Sequence, residues 1–306
     1  YAFDAAGRLE TLTYAAVLTP GLPAVAVLRA TYVHDPLTGG LDRLTWTALQ
    51  GTGAPRTLLD LDYDLDEMGR RTGVSEMRET VTGTTTSRRV DWVHDALDRL
   101  VEEKIGGVVV RSFRYDRVGN REEEERPGGT VLSSHDANDR LTRVDGEGRG
   151  WDADGNLTEH EALGTLTWDD QDRLKTVAGW SFEYDPDGLK VTSTPPGDGD
   201  VEHVLDTTFA HAQVIEEREG GAVTRRYLRG LHPVRIDWNG GSWWYLHDAL
   251  GGTRALVSVD AAGHAMVTDT WDYEAYGAVE SFEGGNAPGK RWLYAGEERN
   301  EGLGLD

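Results

Sequence analysis

The sequence has no cysteine and only four lysines beside 27 arginines. Disulfides, zinc–thiolate sites and thiol catalysis are therefore excluded, while the compartment stays open, because a large β-protein persists outside the cell without disulfides. No apolar run approaches the ~20 residues of a membrane-spanning helix, and helical periodicity of any length is missing. Positive charge is scarce, with a formal net charge of −23. A phosphate backbone needs a positive face, so nucleic acid is not an expected partner. The same charge keeps a large particle soluble or suits a cationic partner. The arginine bias fits bidentate structural bridging and a biased genomic base composition equally. The chain opens at Tyr1-Ala2-Phe3-Asp4, already inside a repeated phrase, so its start says nothing about targeting.

What is present points to β-structure. With 306 residues, 38% hydrophobic, and ten Trp, eleven Tyr and five Phe, the chain can bury a core. Its 38 glycines call for many tight turns. One phrase recurs: an aromatic or His, then Asp, two residues, a Gly or Asp, and an Arg or Asn, usually followed by Leu. It reads Phe3-Asp4-Ala-Ala-Gly7-Arg8-Leu9, His94-Asp95-Ala-Leu-Asp98-Arg99-Leu100 and Tyr115-Asp116-Arg-Val-Gly119-Asn120-Arg121. It returns as His135-Asp136, Trp151-Asp152 (with Gly155), Trp168-Asp169 and Tyr184-Asp185 (with Gly188), and more loosely as His34-Asp35 and Tyr63-Asp64. Successive aspartates lie 31, 29, 31, 21, 20, 16, 17 and 16 residues apart, a tightening period that a random acidic sequence does not produce.

The chemistry of the phrase is that of a hairpin. A strand-end Asp accepts a bond from the backbone two residues on, and Gly, or Asp or Asn in its place, supplies positive φ. The flanks alternate: Trp180, Phe182 and Tyr184 share one face, Ser181 and Glu183 the other. The expectation is an all-β fold of repeated antiparallel β-hairpins forming a spiral shell. Turns should begin at Asp95, Asp116, Asp136, Asp152, Asp169 and Asp185, and Trp92, Tyr115, Trp151, Trp168 and Tyr184 should stack as a ladder. Residues 1–194 form the array, with less regular loops near Thr19–Pro23 and Gln50–Pro55. Residues 195–200, a Pro/Gly/Asp stretch, form a loop, and 201–306 a Trp-dense second β region.

The tyrosine–aspartate phrase resembles the YD repeats of bacterial Rhs proteins, Tc-toxin C-type subunits and teneurins. The last third sharpens this resemblance. Tyr245-Leu-His247-Asp248-Ala-Leu250-Gly251-Gly252-Thr253-Arg254 is similar to the phrase that opens the Rhs-associated core, with Gly252 where Ser is usual and the His–Asp spacing one shorter. Thr270-Trp-Asp272-Tyr-Glu-Ala-Tyr-Gly277 resembles its next element, and Trp292 through Gly296 to Gly302-Leu303 the phrase ending in Glu-Thr-Gly-Leu. The resemblance implies a shell segment that encapsulates and helps deliver a C-terminal effector polypeptide of the same natural chain. It also implies a secreted or cell-surface location and contact with secretion or injection machinery. The family's self-cleavage phrase and effector would lie beyond Asp306. A cell-surface adhesion or glycan-binding module is the alternative, with Trp243-Trp244-Tyr245 and Trp271-Asp272-Tyr273 as candidate surfaces.

No catalytic, cofactor or metal residue is expected. The His–Asp neighbours at 34–35, 94–95, 135–136 and 247–248 all fill the aromatic slot of the repeat, whereas a catalytic dyad is needed once. Gly284 to Lys290 nearly spells a P-loop, but Arg291 replaces the hydroxyl residue and a strand-like segment follows. Asp152-Ala-Asp154-Gly155-Asn156 lacks the distal Glu of a calcium loop, and Glu122–Glu125 reads as a solvated charged segment. Asn156-Leu-Thr158 is a glycosylation sequon of no expected use. Tyr184-Asp185-Pro186 matches the self-cleavage phrase but sits in register with the repeats.

Overall fold

The computed structural model describes residues 1–16, 25–49, 54–285, 292–296 and 303. The expected loop at Thr19–Pro23 and most of that at Gln50–Pro55 lie outside them, as do Asn286–Arg291 and Gly302. The fold is all-β. Twenty-seven strands run from Ala2–Phe3 to Val279–Glu283, and the only other regular element among the described residues is a 3-10 turn at Tyr294–Gly296. Each strand pairs with its chain neighbours, giving sheets of 13 and 14 strands that meet at Arg149. Even there the Arg149 N–H donates to Thr142 O at 2.9 Å, so the ribbon is interrupted for a single residue. Residues 195–200 join Lys190–Thr194 to Val201–Asp206, and these strands pair, so the second sheet runs through the loop without a break.

A meander of antiparallel strands returns every second connection to the same rim. The turns at Asp4, Asp35, Asp95, Asp116, Asp136, Asp152, Asp169, Asp185 and Asp248 all lie on that rim. One assignment needs correction. Tyr63 and Asp64 lie inside the strand Arg56–Leu65, where Asp64 pairs across to Gly73 and its carboxylate meets Arg89. The turn begins two residues later, at Asp66, because only there do Gly69 and Arg70 fall three and four residues on. The aromatic–aspartate pair was a weaker guide than the spacing to the positive-φ residue.

The ribbon winds inward. In the early strands, the face that carries the repeat aromatics buries Leu28, Leu44, Trp46, Leu59, Leu61 and Val90. That face packs on Trp244, Leu246, Ala255, Val257 and Val267 of the late strands. Their strand neighbours Tyr245, Leu256, Trp271 and Tyr273 point the other way, into a second core with Tyr227 and Ile236. Trp292 and Leu293 cover this second core. The first winding thus lies outside the last, and Trp292 and Leu293 lie inside both. Leu303, half-buried, packs on a third core built by Leu166, Val177 and Phe182 of the middle hairpins.

Candidate functional site

The repeat turn is one hydrogen-bonded unit. At Asp95 the backbone N–H donates to Arg99 O (2.9 Å), and the Asp98 N–H donates back to Asp95 O (3.1 Å). Oδ1 accepts from the Leu97 and Arg99 N–H groups, and Oδ2 accepts from Arg99 Nε at 2.8 Å. The Arg99 guanidinium, then its backbone N–H, hold the Asp95 carboxyl below the usual carboxylate range. The same pattern stands at Asp4, Asp66, Asp136 and Asp169 with Arg, and at Asp116 and Asp152 with Asn. The fourth residue has positive φ throughout, as in Gly7 (78°), Gly119 (106°), Gly155 (95°) and Gly188 (84°). Asp98, Asp139 and Asp172 also adopt it, at 64°, 61° and 59°. At Asp35 the turn is one residue longer and Gly39 takes the positive φ.

A non-glycine residue at positive φ is costly, and its return is lateral. Arg70 pairs with the Asp98 carboxylate of the next turn on the rim, Asn120 donates to Asp139 (2.9 Å), and Asn156 donates to Asp172 (2.8 Å). Where the next turn has Gly instead, Arg99, Arg140 and Arg173 reach the carbonyl of its Asp: Asp116, Asp152 and Asp185 respectively. The aromatic slot adds a third link. Tyr115 OH, Trp151 Nε1, Trp168 Nε1 and Tyr184 OH donate to the carbonyls of Leu100, Leu141, Leu157 and Leu174, the first strand residues of the preceding turn unit, at 2.6–3.0 Å. This explains Tyr, Trp and His in a slot where Phe would pack as well but donate nothing.

The rings do not stack on one another as expected. Trp151, Trp168 and Tyr184 sit on alternate strands, about 9.5 Å apart, and Tyr115 is separated from Trp151 by the His135 strand and its neighbours. Arginines stand over three of the rings: Arg99 over Tyr115, Arg140 over Trp151 and Arg173 over Tyr184. Trp92 belongs to the outer-winding core instead. Tyr184→Phe is expected to cost about 0.5–1.5 kcal/mol through the orphaned Leu174 carbonyl, as the shift of a urea unfolding midpoint would show.

The core-signature residues sit where three layers meet. Tyr245 is fully buried in the inner core, and Leu250 is exposed at its turn tip. His247 is 3% exposed, with Nε2 2.5 Å from Pro233 O, the same link that Tyr273 OH makes to Thr253 O. Trp46 Nε1 of the outer winding donates to His247 O at 2.9 Å. Asp248 begins a repeat turn, and Gly251 (φ 85°) sits where a Cβ would overlap the His232 ring. Thr253 ties the layers inward: its N–H donates to Leu293 O (2.8 Å) and its hydroxyl to Trp292 O (2.6 Å).

Arg254 ties them outward. Its guanidinium meets Glu76 of the outer winding at 2.7 Å and Asp272 at 3.0 Å. Arg78 and Arg88 complete the network on Asp272 at 2.7 and 3.3 Å. Burial works against the Asp272 charge, but Arg78, Arg254 and Arg88 outweigh it and bring the carboxyl down to about 2. Arg111 extends the network by joining Glu103 (2.7 Å) to Glu280 (3.1 Å). Sequence reading missed these partners, because nothing local marks a pairing 178 residues apart.

Gly277 has φ 99°, and a Cβ there would overlap the Tyr294 ring. Gly277→Ala is expected to lose about 1 kcal/mol to the backbone and roughly 1–3 kcal/mol more to overpacking. Gly188→Ala, with only Arg173 nearby at 3.9 Å, should lose the first part alone in the same urea measurement. Gly296 ends the 3-10 turn. Of the candidate glycan surfaces, Trp244, Tyr245, Trp271 and Tyr273 are buried, and half-buried Trp243 packs on Trp238. Among the described residues no cluster of His, Asp and Glu has metal-ligand geometry, and no helix is long and apolar enough to cross a membrane.

Solved structures share this fold. The crystal structure of TcdB2-TccC3-TEV matches 99% of the chain with a TM-score of 0.72 at 15% identity. The Photorhabdus luminescens Tc holotoxin pore matches 99% with a TM-score of 0.70 at 16% identity, and TcdB2-TccC3 matches 99% with 0.65 at 16%. The chain spans 17%, 16% and 20% of those three chains. No protein-family profile and no curated protein matches the sequence. The likeness to the Tc structures is one of fold, and it covers nearly every hairpin.

Proposed function

We propose that this chain is a section of a YD-repeat shell that encloses and helps deliver a C-terminal polypeptide of its own natural chain, outside the cell or at its surface. The observation that carries this reading is the direction of winding. Each later layer lies inside the earlier one, and the residues after the last strand, Trp292, Leu293 and Leu303, pack on inward faces. Chain that follows is thereby fed toward the interior. The links from turn to turn along the rim suit such a wall, since they tie hairpins together in addition to the cores between layers, and sequential pairing leaves few free strand edges.

In this reading the segment is a wall and not a catalyst. Asp185 Oδ1 is engaged by the Asp187 and Leu189 N–H groups, as in any repeat turn, which argues against self-cleavage at Asp185-Pro186. Intact-mass measurement after incubation at several pH values should return the uncut chain. The decisive experiment is limited proteolysis of the natural full-length protein. The polypeptide downstream of the shell should resist cleavage while the shell stands and become sensitive when it unfolds. Downstream sequence that is cut at once in the native particle would overturn the proposal.

A further inference from the structure

Most repeat turns give their aspartate a side-chain partner on Oδ2. Among the described residues Asp248 has none, and unlike Asp35 and Asp185, which also have none, it lines a cavity between the windings. In eight turns Oδ2 accepts from the side chain four residues on: Arg8, Arg70, Arg99, Asn120, Arg140, Asn156, Arg173 and His264. At Asp248 that position is Gly252, and only Oδ1 is engaged, by the Leu250 and Gly252 N–H groups. Asp248 lines a cavity of about 280 Å³ between the outer and inner windings, together with the exposed Leu250 and Tyr276. That volume lies near the lower end of small-molecule pockets, ~300–1,000 Å³, and suits a ligand about the size of one amino acid.

The other charged groups of the cavity divide into those already paired and one that is not. Arg254 holds Glu76, Arg111 holds Glu103, and Arg88 holds Asp272 and Glu280. Arg71 stacks over the Tyr63 ring at 5.2 Å and has no carboxylate within ion-pair distance among the described residues. Glu76 is 4% exposed, and its Oε1 has no hydrogen-bond partner. Asp248 and Arg71 thus line the same small space, the first with no hydrogen bond to Oδ2 and the second with no ion pair among the described residues.

We infer that this cavity is a binding site for a small ligand carrying both a guanidinium and a carboxylate, the guanidinium on Asp248 Oδ2 and the carboxylate on Arg71. The repeat supplies the template for the first contact, since Arg99 and Arg173 bond their aspartates through Nε and stack on the following Tyr. A lone cation would be repelled by Arg71 and Arg254, and a ligand bringing its own carboxylate is not. Either a free guanidino acid or a peptide ending in arginine presents this chemistry.

Titration of the whole chain with N-acetylarginine, followed by calorimetry and Trp fluorescence, tests the site. Saturable binding is expected, weakened about tenfold or more for N-acetylcitrulline, which has no charge at the guanidino end, and for N-acetylarginine amide, which has no carboxylate. Asp248→Asn keeps the Oδ1 acceptor of the turn and should abolish the preference over citrulline, while Arg71→Gln should abolish the preference over the amide. Tight binding by Ala-Ala-Arg with a free C-terminus, beyond that of N-acetylarginine, assigns the site to peptide ends, and equal binding assigns it to the free acid. Absence of saturable binding, citrulline binding as well as arginine, or unchanged selectivity in Asp248→Asn would each overturn the inference.

Discussion

Arg254→Met should lower the stability of the protein by roughly 3–5 kcal/mol, the range for breaking a buried ion pair on one side only. The substitution nearly preserves side-chain length but leaves Glu76 and Asp272, 4% and 5% exposed, without the guanidinium that neutralises both. Burial alone would lower the pKa of Arg254, yet Glu76, Asp248 and Asp272 together raise it, so the residue stays charged and its charge is the part that matters. Arg78 and Arg88 remain beside Asp272 at 2.7 and 3.3 Å, while Glu76 keeps, among the described residues, only Arg78 at 3.6 Å, so Glu76 should bear the larger share of the loss. Because Glu76 belongs to the outer winding and Arg254 to the inner, the damage should appear as separation of the layers, with Trp244 and Trp46 fluorescence shifting together. Arg8→Met is the internal comparison: its pair with Asp4 is about a third exposed on the arginine side, and a solvent-screened surface pair adds little to stability. Equal losses in the two variants would show that the clamp is no stronger than a surface pair.

The contrast between these arginines also shows what the sequence could reveal. Asp4–Arg8 is written in the chain as a spacing of four, and the turn around it follows from residues that touch their own neighbours. So does the tolerance of Asp98, Asp139 and Asp172 for positive φ. Asp66 was equally legible, since Gly69 and Arg70 stand at the right distances, but the Tyr63-Asp64 letters drew attention first. Arg254 and Glu76 had no such signature. Their pairing depends on which face of an inner strand meets which face of an outer one, and the inward sense of winding fixes that. The reason for Tyr, Trp or His in the slot lies between these extremes. The repeat shows the choice, but the accepting carbonyl on the previous hairpin is visible only once strands are paired.

Protonation of His247 and His232 should weaken the protein well before Asp95, Asp169 and Asp272 titrate. Burial brings the His247 imidazole down from 6.5 to about 3, against the favourable carbonyls of Pro233 and Gly251, and with His232 and Arg229 adding to the shift. His232, whose ring centre is 5.3 Å from that of His247, is also lowered, chiefly by burial. Between the two values the unfolded chain binds the proton and the folded chain does not, so acid favours unfolding. The stabilisation is complete above about pH 6.5 and is lost as the pH falls toward 3. Each such histidine contributes a slope approaching 1.4 kcal/mol per pH unit, so His247 alone should remove about 2 kcal/mol by pH 5. Asp248 and Glu103 act in the opposite direction, because burial raises their carboxyls and the folded state then gains as the pH falls through those raised values. Asp95, Asp169 and Asp272 are lowered below 3.8, so their share is lost only in stronger acid. Urea unfolding at pH 7, 6 and 5 should therefore show a falling midpoint across a window in which the lowered carboxyls of Asp95, Asp169 and Asp272 stay charged. In His247→Tyr the phenol should take over the bond to Pro233 O, as Tyr273 does with Thr253, and the slope should drop by the share of one proton. A flat profile in the parent chain, or an undiminished slope in His247→Tyr, would place the acid-sensitive element elsewhere than between the windings.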